Sequence, residues 1–422
     1  MCVALINTNN APGNQNIVRA MADKISHRGP DGEGYWTHKN VAFGHRRLSI
    51  IDLTDGGSQP MQTEDGRYTI CYNGELYNFA DLKLALQASG ETFVSRSDTE
   101  VVLKAVANWG IEKAMSSFNG IIAFAIYDAK EHRLYIARDR YGIKPLYYCT
   151  TKDSILFASE IKAFAGHPNV ELKLDPEGLV EYFTFQNFLS ERTLFKDVKM
   201  FPAGHYATVD CAYYEELRPV QYWDFDFREP TKPASKKEML SELRFLFEKA
   251  VSSQLMSDVE VSSYLSGGMD SGSITAVAAK ILPFMRTFTC GFDLTSASGA
   301  ELNFDERKVA EKMSYLFNTE HYAVCLKSGD MQRAVPDLVY HLDEPRVGQS
   351  YPNYYVAGLA SKFGKVVLGG TGGDEIFGGY PWRYYNVAGA RSKEEFAERY
   401  FKFWQRLVPL NLQKEVFAPI WE

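Results

Sequence analysis

The chain has 422 residues, 45% of them hydrophobic and 23% charged, with a formal net charge of −7 at pH 7. This length accommodates two or three domains, each with a core of its own. Acidic and basic residues are interspersed, which argues against a nucleic-acid-binding surface and against a polybasic membrane patch. The longest apolar stretch, IIAFAIY, is too short to span a bilayer, and no basic leader opens the chain. We therefore expect a cytoplasmic globular protein without nucleic-acid or membrane partners.

The cysteines are scattered along the chain without a CxxC pair, which indicates reduced thiols rather than disulfides or a zinc site. Cys2 directly follows the initiator methionine. Removal of Met1 would leave one residue that carries both a thiol nucleophile and a free α-amine as its base. A cysteine at this position is weak evidence alone, so the rest of the sequence must decide.

Short apolar strands separated by turns are predicted throughout the N-terminal half. The predicted strands cover residues 41–52, 68–78, 121–128, 133–139, 146–151 and 155–160. Two helices are predicted among them, at about residues 79–89 and 98–108. Ser97 or Asp98 is the expected N-cap of the second helix.

The pattern changes between residues 215 and 237, where a stretch rich in proline and charge reads as a linker. We place the domain boundary near residue 225. A helix is then predicted at residues 237–256. Predicted strands at 259–265, 286–292 and 365–368 alternate with helical segments such as 273–282, and this alternation indicates a mostly parallel α/β sheet.

The segment YLSGGMDSG joins a predicted strand to a helix and is typical of a phosphate-binding loop. Backbone amides in such a turn bind anions together with the helix N-terminus. Gly267 and Gly268 would allow close approach of a phosphate, and Ser266 and Ser271 would add hydroxyl donors. Asp270 would hold a magnesium ion that bridges phosphate oxygens. The motif is neither GxxxxGK[ST] nor GxGxxG. A bare SGG would often be only a serine-capped turn, but SGGxDS is the signature of ATP pyrophosphatase-type loops.

A second glycine-rich turn, VVLGGTGGDEIFGGY, also follows a predicted strand. Asp374 and Glu375 would then lie at the carboxyl edge of the sheet, where open α/β folds bind ligands. The alternative is an acidic helix start favoured by the helix dipole. Together with the first loop, the turn favours Asp270 and Asp374 as a magnesium pair.

The sequence as a whole resembles a known family. Cys2, HRGPDGEG, RRLSIID, YNGELYN, SDTE, ARDRYGIKPLYY, FASEIKA, LSGGMDS and GGDEIFGGY occur in the order seen in glutamine-hydrolysing asparagine synthetases. The resemblance covers essentially the whole chain. It implies a multi-domain α/β protein with a class II glutamine amidotransferase domain at residues 2–215, an Ntn-type αββα sandwich. A linker at 216–236 would lead to a doubly wound α/β PP-loop domain at 237–422, of the adenine nucleotide α-hydrolase-like type. Because the family's synthetase domain continues further, we expect this domain to be C-terminally incomplete.

The resemblance implies the roles of the glutaminase residues. Cys2 would attack the glutamine amide, and its own α-amine would handle the proton. The Asn73 side chain and the Gly74 backbone N–H would form the oxyanion hole for the tetrahedral intermediate.

The resemblance also implies how free glutamine is selected. Arg47 would bind the α-carboxylate, a role suited to its planar, permanently charged group. Glu75 and Asp98 would accept hydrogen bonds from the α-ammonium. Taken singly, Arg47 could be a surface charge, Glu75 a turn residue and Asp98 a helix cap. Since the α-amine serves as base, we expect His27 and His45 to be structural or to line the substrate.

For the C-terminal half, the resemblance implies that ATP and Mg2+ activate a carboxylate as its adenylate. Ammonia would reach it through an internal channel and displace AMP. Asp343 and Glu344 in HLDEPR match a family segment that lines this site, although an acidic pair before proline would equally suit a helix end. The implied ATP-binding residues are Leu265, Ser266, Gly267, Gly268, Asp270, Ser271, Gly369 and Gly370, with Asp270 and Asp374 at the metal.

One departure leaves the acceptor open. Thr371 stands where well-known family members carry a glutamate thought to act on the incoming ammonia, and threonine cannot serve as a base near neutral pH. The expected acceptor is aspartate, with asparagine, AMP and pyrophosphate as products, and the alternative is another small carboxylate such as a sugar acid. A non-catalytic descendant would be expected to lose Cys2, Asn73, Asp270 or Asp374, and all four are present. No sequence feature establishes a homodimer, although one is compatible with the chain.

Overall fold

The structure, a computed structural model, describes residues 1–214, 216–228, 235–295, 305–346, 350–405 and 407–421. The chain divides into two compact units. The first comprises Met1–Asp175 and Ser190–Pro233, and the second comprises Pro176–Leu189 and Ala234–Glu422. Pro176–Leu189 thus groups with the second unit, although it lies inside the range 2–215 predicted for the first domain. No helix in the described ranges is long and apolar enough to cross a membrane.

Two antiparallel sheets form the first unit. Its strands are β1 (Cys2–Asn7), β2 (Gly32–His38), β3 (Val41–Arg47), β4 (Met61–Gln62), β5 (Tyr68–Leu76), β6 (Gly120–Asp128), β7 (Arg133–Arg138), β8 (Tyr147–Thr150), β9 (Ser154–Ala158), β10 (Val198–Met200), β11 (His205–Asp210) and β12 (Val220–Gln221). Its α-helices are α1 (Gln15–Asp23), α2 (Phe79–Ala88), α3 (Asp98–Trp109) and α4 (Ile111–Ser117). One sheet has the order β10-β8-β9-β1-β3-β2, and the other has the order β12-β11-β7-β6-β5-β4.

The sheets stack face to face between two helical layers. Side chains alternate between the faces of a strand, so Cys2, Ala4 and Ile6 of β1 enter the core between the sheets. Val3 and Leu5 of the same strand face α1 instead. The outer face of the second sheet packs on α2, α3 and α4. The predicted αββα sandwich is confirmed, and the alternation places the Cys2 thiol between the two sheets.

The second unit is built on a parallel sheet. Its strands are β13 (Val261–Tyr264), β14 (Arg286–Phe292), β15 (Glu320–Leu326) and β16 (Val366–Leu368). Its α-helices are α5 (Pro176–Phe185), α6 (Lys236–Ser253), α7 (Met269–Ile281), α8 (Arg307–Phe317), α9 (Asp330–Leu342), α10 (Ser350–Ala360), α11 (Gly373–Phe377), α12 (Trp382–Tyr385), α13 (Lys393–Trp404) and α14 (Leu410–Val416). α5 packs on the C-terminal helices, with the Phe183 and Phe417 rings 5.9 Å apart.

Helices cover both faces of the parallel sheet, which confirms the doubly wound prediction. Val251 of α6 and Ala278 of α7 pack on one face, and Val356 of α10 packs on the other. The strand order is β15-β14-β13-β16. Strands β14 and β15 are added on one side of β13, whereas β16 is added on its other side, so the order of strands has a switch point between β13 and β16. Ligands bind at such a switch point in open α/β sheets. Both predicted glycine loops begin there, directly after β13 and β16.

Most predicted elements are confirmed, with some corrections. The strand predicted at 41–52 ends at Arg47, and the rest of that range is a loop with a positive φ at Asp52. The helix predicted at 273–282 already begins at Met269. Helices α1, α4 and α5 were not predicted, since each is short and lies among strand-like segments. Within the predicted linker, β12 pairs with β11, and residues 229–234 lie outside the described part of the chain.

Candidate active site

A pocket in the first unit brings together the residues expected to bind glutamine. Its volume is about 80 Å³. Residues from β3, β5 and the start of α3 line it, although they are distant in sequence. The predicted ones are Arg47, Asn73, Gly74, Glu75 and Asp98, and Met1, His45 and Lys144 lie with them.

Cys2 lies at the start of β1 beside this pocket. It is buried, and its backbone N–H donates to Ser159 Oγ over 3.1 Å. The preceding Met1 amino group lies 2.9 Å from His45 Nε2 and donates to the Arg46 carbonyl over 2.7 Å. Burial lowers the pKa of this amino group. While Met1 is attached, the Cys2 nitrogen is an amide and cannot act as a base.

Asn73 faces the same inter-sheet side as Cys2. It is two residues beyond Cys71 on β5, and Cys71 belongs to the inter-sheet core, so alternation directs the Asn73 side chain inward. Asn73 Nδ2 lies 3.5 Å from Ser159 Oγ. At Gly74 an added Cβ would lie 2.7 Å from the Tyr72 ring. Glycine is therefore required to keep this backbone in place.

Arg47 ends β3 and is held by the loop that follows. Its guanidinium donates to the carbonyls of Thr54, over 2.8 Å, and of Asp52. The buried Asp52 carboxylate accepts from Thr54 N over 3.1 Å and from Arg96 N over 3.0 Å. A Cβ at Gly57 would overlap the guanidinium. Arg47 is thus fixed at the pocket wall and is not a mobile surface charge.

Asp98 is the first residue of α3 and points back to β5. Its carboxylate accepts from Tyr72 Oη over 3.0 Å and from Leu76 N over 2.9 Å. The helix cap is Ser97, whose side chain accepts a backbone N–H of the first turn. Burial, followed by the neighbouring Asp98, raises the pKa of Glu75 to about 8. The half-buried Glu75 and the buried Asp98 therefore lie close enough for each to affect the ionisation of the other.

Lys144 is the pocket residue that sequence reasoning missed. The Arg138 guanidinium donates to the Gly142 carbonyl over 2.7 Å and to the Lys144 carbonyl over 2.8 Å. The Asp139 carboxylate accepts from Ile143 N over 2.9 Å and from Lys144 N over 3.0 Å. This Arg-Asp pair builds the turn that brings Lys144 to the pocket. The available signal was the segment ARDRYGIKPLYY, where a charged pair precedes a glycine turn.

Lys144 and the two acids carry opposite charges when ionised, so they attract one another and shift one another's pKa values. Burial lowers the pKa of Lys144, whereas Glu75 raises it. In return, Lys144 counteracts the rise in the pKa of Glu75. The charge state of the pocket near neutral pH therefore depends on all three groups, because each one shifts the pKa of another. A shift of one pKa unit is worth about 1.4 kcal/mol.

We expect Lys144→Met to move the pH dependence of glutamine use to higher pH. Only the ionised Glu75 can accept strongly from an α-ammonium, so glutamine binding should improve as pH rises through about 8. Removing the Lys144 charge raises the pKa of Glu75 further, and a shift of the midpoint by about one pH unit is expected. The measurement is kcat/KM for glutamine between pH 6 and 10. Lys130→Met, at an exposed lysine, is the control, and identical profiles for both variants would contradict the coupling.

The two histidines differ in position. His45 lines the pocket, with Nε2 3.1 Å from the Tyr72 carbonyl. Burial lowers its pKa well below the ordinary value, so the ring is neutral. His27 Nε2 lies 3.2 Å from Glu160 Oε1, beside the Arg28–Glu160 ion pair of 2.8 Å. Neither histidine is placed as the base of Cys2 by these contacts.

The first glycine loop of the second unit is held by its own hydroxyls. Ser271 Oγ accepts from Ser266 N over 3.1 Å, and the two hydroxyls lie 2.9 Å apart. Gly268 N donates to Ser266 Oγ over 3.1 Å. A Cβ at Gly267 would lie 3.0 Å from Val309 Cβ of α8. Because α7 starts at Met269, its first-turn amides follow the loop directly.

The second glycine loop packs directly on Asp270. A Cβ at Gly370 would lie 3.1 Å from Asp270 Cβ, and one at Gly373 would overlap the Asp270 carboxyl. The neighbouring Asp374 carboxyl lies against Gly379. The switch point thus brings the two loops together, as the sequence predicted. In the described part of the chain, no group of three or more His, Cys, Asp or Glu side chains could hold a metal ion.

We expect Gly373→Ala to weaken MgATP binding at least about tenfold, or about 1.4 kcal/mol. The new methyl group must displace either the Asp270 carboxyl or the loop itself. The measurement is the MgATP Kd by calorimetry, with glutamine hydrolysis by the first unit unchanged. Gly358→Ala in α10 is the matched control, because nothing lies within 4 Å of its added Cβ. Equal Kd values for both variants would show that the contact has no role in nucleotide binding.

The residues predicted for the acceptor site remain predictions. Asp343 ends α9 with a φ of 61°, and Glu344 follows it. Residues 347–349 just beyond lie outside the described chain. Thr371 lies exposed in the second glycine loop.

Two family models together match most of the chain. One, described as a glutamine amidotransferase domain, matches residues 1–223, and the other, described as asparagine synthase, matches residues 242–419. In Bacillus subtilis (strain 168), the relative named asparagine synthetase [glutamine-hydrolyzing] 1 is 38% identical over 371 residues, which are 87% of this chain and 56% of the relative. The relative numbered 3 from the same organism is 36% identical over 94% of this chain and 66% of its own length. The chain thus spans less than two thirds of either protein.

A third relative carries a different name. Amidase chyE of Penicillium rubens is 33% identical over 85% of this chain and 54% of its own length. Among solved structures, the glutamine phosphoribosylpyrophosphate amidotransferase from B. subtilis is 16% identical, with a TM-score of 0.41, and the match covers 76% of this chain and 65% of that chain.

Proposed function

Because the chain belongs to the glutamine-hydrolysing asparagine synthetase family, we propose that it is a glutamine-dependent ligase of the amidotransferase type. Its first unit would release ammonia from glutamine, and its second would use ATP to activate the carboxylate that receives this ammonia. The observation that carries the proposal is the pocket beside Cys2, where Arg47 and the Glu75–Asp98 pair face one small volume. Two basic side chains, Arg47 and Lys144, and two carboxyl groups in one pocket provide partners for the two charged ends of a free amino acid.

The glutaminase reaction follows from groups at the pocket. After removal of Met1, the α-amine of Cys2 accepts the thiol proton, and the sulfur attacks the side-chain carbonyl carbon of glutamine. The resulting oxyanion accepts from Asn73 Nδ2 and from Gly74 N–H. The α-ammonium then returns the proton to the leaving nitrogen, which departs as ammonia and leaves a thioester. Water hydrolyses the thioester to glutamate and regenerates Cys2.

Burial supports the neutral amine that this reaction needs. Cys2 is only 6% exposed, and desolvation disfavours a charged ammonium. The Met1 amine, one residue further out, already has a pKa lowered by burial, which outweighs the opposite effect of Cys2 and Cys71. The freed Cys2 amine would lie in the same electrostatic environment.

The second unit would bind MgATP at the two glycine loops. The amides at the start of α7 and the Ser266 and Ser271 hydroxyls suit phosphate oxygens. Asp270 and Asp374 fit magnesium, a cation that commonly takes one or two carboxylates and completes its shell with phosphate and water. When bound there, magnesium would neutralise phosphate charge. The acceptor carboxylate would displace pyrophosphate, and ammonia would then displace AMP.

Aspartate is the proposed acceptor, with asparagine as product, because the similar B. subtilis proteins are named asparagine synthetases. A second candidate is another small carboxylate. Thr371 in the second loop favours it, since threonine cannot act as a base near neutral pH. In addition, one relative of comparable similarity is named an amidase and not an asparagine synthetase.

The test is product formation by the purified protein with MgATP and either glutamine or ammonium salts as nitrogen donor. Glutamate, AMP and asparagine formed from glutamine and aspartate would support the full proposal. If AMP forms only with other carboxylates, the acceptor is one of these and not aspartate. Glutamate release without AMP, for every acceptor offered, would contradict synthetase activity of this chain and leave only the glutaminase half.

A further inference from the structure

The Ser159 hydroxyl contacts both groups that the glutaminase reaction would use at Cys2. Ser159 is 1% exposed and directly follows β9, which pairs with β1. Its Oγ accepts from Cys2 N over 3.1 Å and lies 3.5 Å from Asn73 Nδ2. Ser159 N also donates to the Cys2 carbonyl over 3.1 Å. The family resemblance assigns no role to this serine of the FASEIKA segment.

An α-amine that serves as base must be oriented. Once Met1 is removed, the nitrogen of Cys2 becomes a terminal amine that can rotate about its bond to Cα. Its lone pair reaches the thiol proton in only part of that rotation. A fixed acceptor for one N–H removes this freedom, and the hydroxyl of Ser159 is already at hydrogen-bond distance from that nitrogen.

The surroundings fix the hydroxyl itself. Ser159 Oγ can donate its single proton to the Cys2 carbonyl, 3.4 Å away. Both of its lone pairs then face donors, one at Cys2 N and one at Asn73 Nδ2. A hydroxyl has one donor and two acceptor sites, so this arrangement uses all of them. It keeps the amine as the donor in this contact, which leaves the amine lone pair free for the thiol proton.

We propose that Ser159 is the positioning residue of the Cys2 α-amine and links this base to the Asn73 side chain. This inference rests on the proposed glutaminase reaction. Ser159 does not line the pocket that would hold glutamine and lies instead at a small internal gap with Cys2 and Ala123. It therefore affects the chemical step and leaves glutamine binding unchanged.

The experiment compares Ser159→Ala, Ser159→Thr and Ser154→Ala in the 422-residue chain, whose loss of Met1 is verified by mass spectrometry. Ser154 is a matched control, because it is another buried serine at the opposite end of β9, with Oγ 2.9 Å from Asn7 Oδ1. Glutamate release gives kcat and KM, and thermal denaturation gives stability. We expect Ser159→Ala to lower kcat about tenfold to a hundredfold, a part of the 10²–10⁴ that a positioned base contributes. The KM for glutamine should stay within about twofold, because uniform binding is unchanged.

The remaining outcomes separate this inference from the proposed function. Ser159→Thr, which keeps the hydroxyl, should recover most of kcat, and Ser154→Ala should lose stability with kcat unchanged. If Ser159→Ala does not fold, Ser159→Cys replaces it, since a thiol is only a weak acceptor, and the same loss of kcat is expected. An unchanged kcat in a folded, hydroxyl-free variant, or a rise in KM that matches the fall in kcat, would overturn the role of Ser159 alone. Wild-type protein without Met1 that fails to hydrolyse glutamine would overturn the proposed function as well.

Discussion

Replacing Cys2 by alanine should lower glutamine-dependent glutamate release by at least about 10⁴-fold, because the attacking sulfur is lost. The substitution is mild for the fold, since Cys2 occupies an inward position of β1 next to Ala4, where an alanine already packs. Any ATP-dependent reaction supported by ammonium salts should persist, because the second unit keeps its loops. The measurement is the initial rate of glutamate release, with each nitrogen donor assayed in parallel for AMP.

Cys71→Ala is the matched control for the loss of a buried thiol. Cys71 belongs to the same inter-sheet core, and its thiol donates to the Gly44 carbonyl over 3.3 Å. Burial, together with the neighbouring Cys2, raises the pKa of Cys71 well above its ordinary value. Cys71 therefore supplies no thiolate near neutral pH, and its alanine variant should retain glutaminase activity. Comparable losses from both substitutions would point to a packing effect and contradict the assignment of Cys2 as nucleophile.

Asn73→Ala should reduce kcat for glutamine hydrolysis by about 10²–10³, the usual cost of removing one side-chain donor from an oxyanion hole. The ground-state carbonyl gains less from this donor than the oxyanion does, so KM should change far less than kcat. The thiol should still react with a small alkylating reagent, because Cys2 and its amine remain and Ser159 Oγ still accepts from the Cys2 nitrogen. Steady-state kinetics and the alkylation rate together locate the defect after nucleophile activation.

Asn78→Ala provides the control within the same YNGELYN segment. The Asn78 side chain donates to the Ser117 carbonyl over 3.0 Å and accepts from Asn119 N over 3.0 Å. It joins the start of α2 to the loop before β6 and does not line the pocket. Its loss should cost about 1 kcal/mol of stability per hydrogen bond with kcat unchanged. If Asn73→Ala behaves like Asn78→Ala, the oxyanion role of Asn73 is wrong.

Local sequence patterns determined most of the architecture. Short apolar runs bounded by turns predicted β5, β6 and β7, because a strand that packs into a core places apolar residues along its length. The strand–glycine–helix pattern located both loops of the second unit, and the reversal of strand order then placed them side by side at Asp270. The local sequence indicated the roles of Cys2 and Asp270, the motif resemblance implied that of Asn73, and all three remain predictions.

Long-range contacts decided what the pattern could not. Lys144 reaches the pocket only because Arg138 and Asp139 fold their turn back on itself. Ser159 contacts Cys2 only because β9 pairs with β1, although the two strands are far apart in the sequence. Neither contact leaves a periodic signal, since each depends on hydrogen bonds between residues far apart in the chain or on the geometry of one turn. The sequence by itself therefore determined the secondary-structure elements and the candidate chemistry. Only the tertiary structure decided which charged groups share the pocket and which hydroxyl lies beside the amine of Cys2. The physical reason is that burial and proximity set pKa values and the orientation of reacting groups.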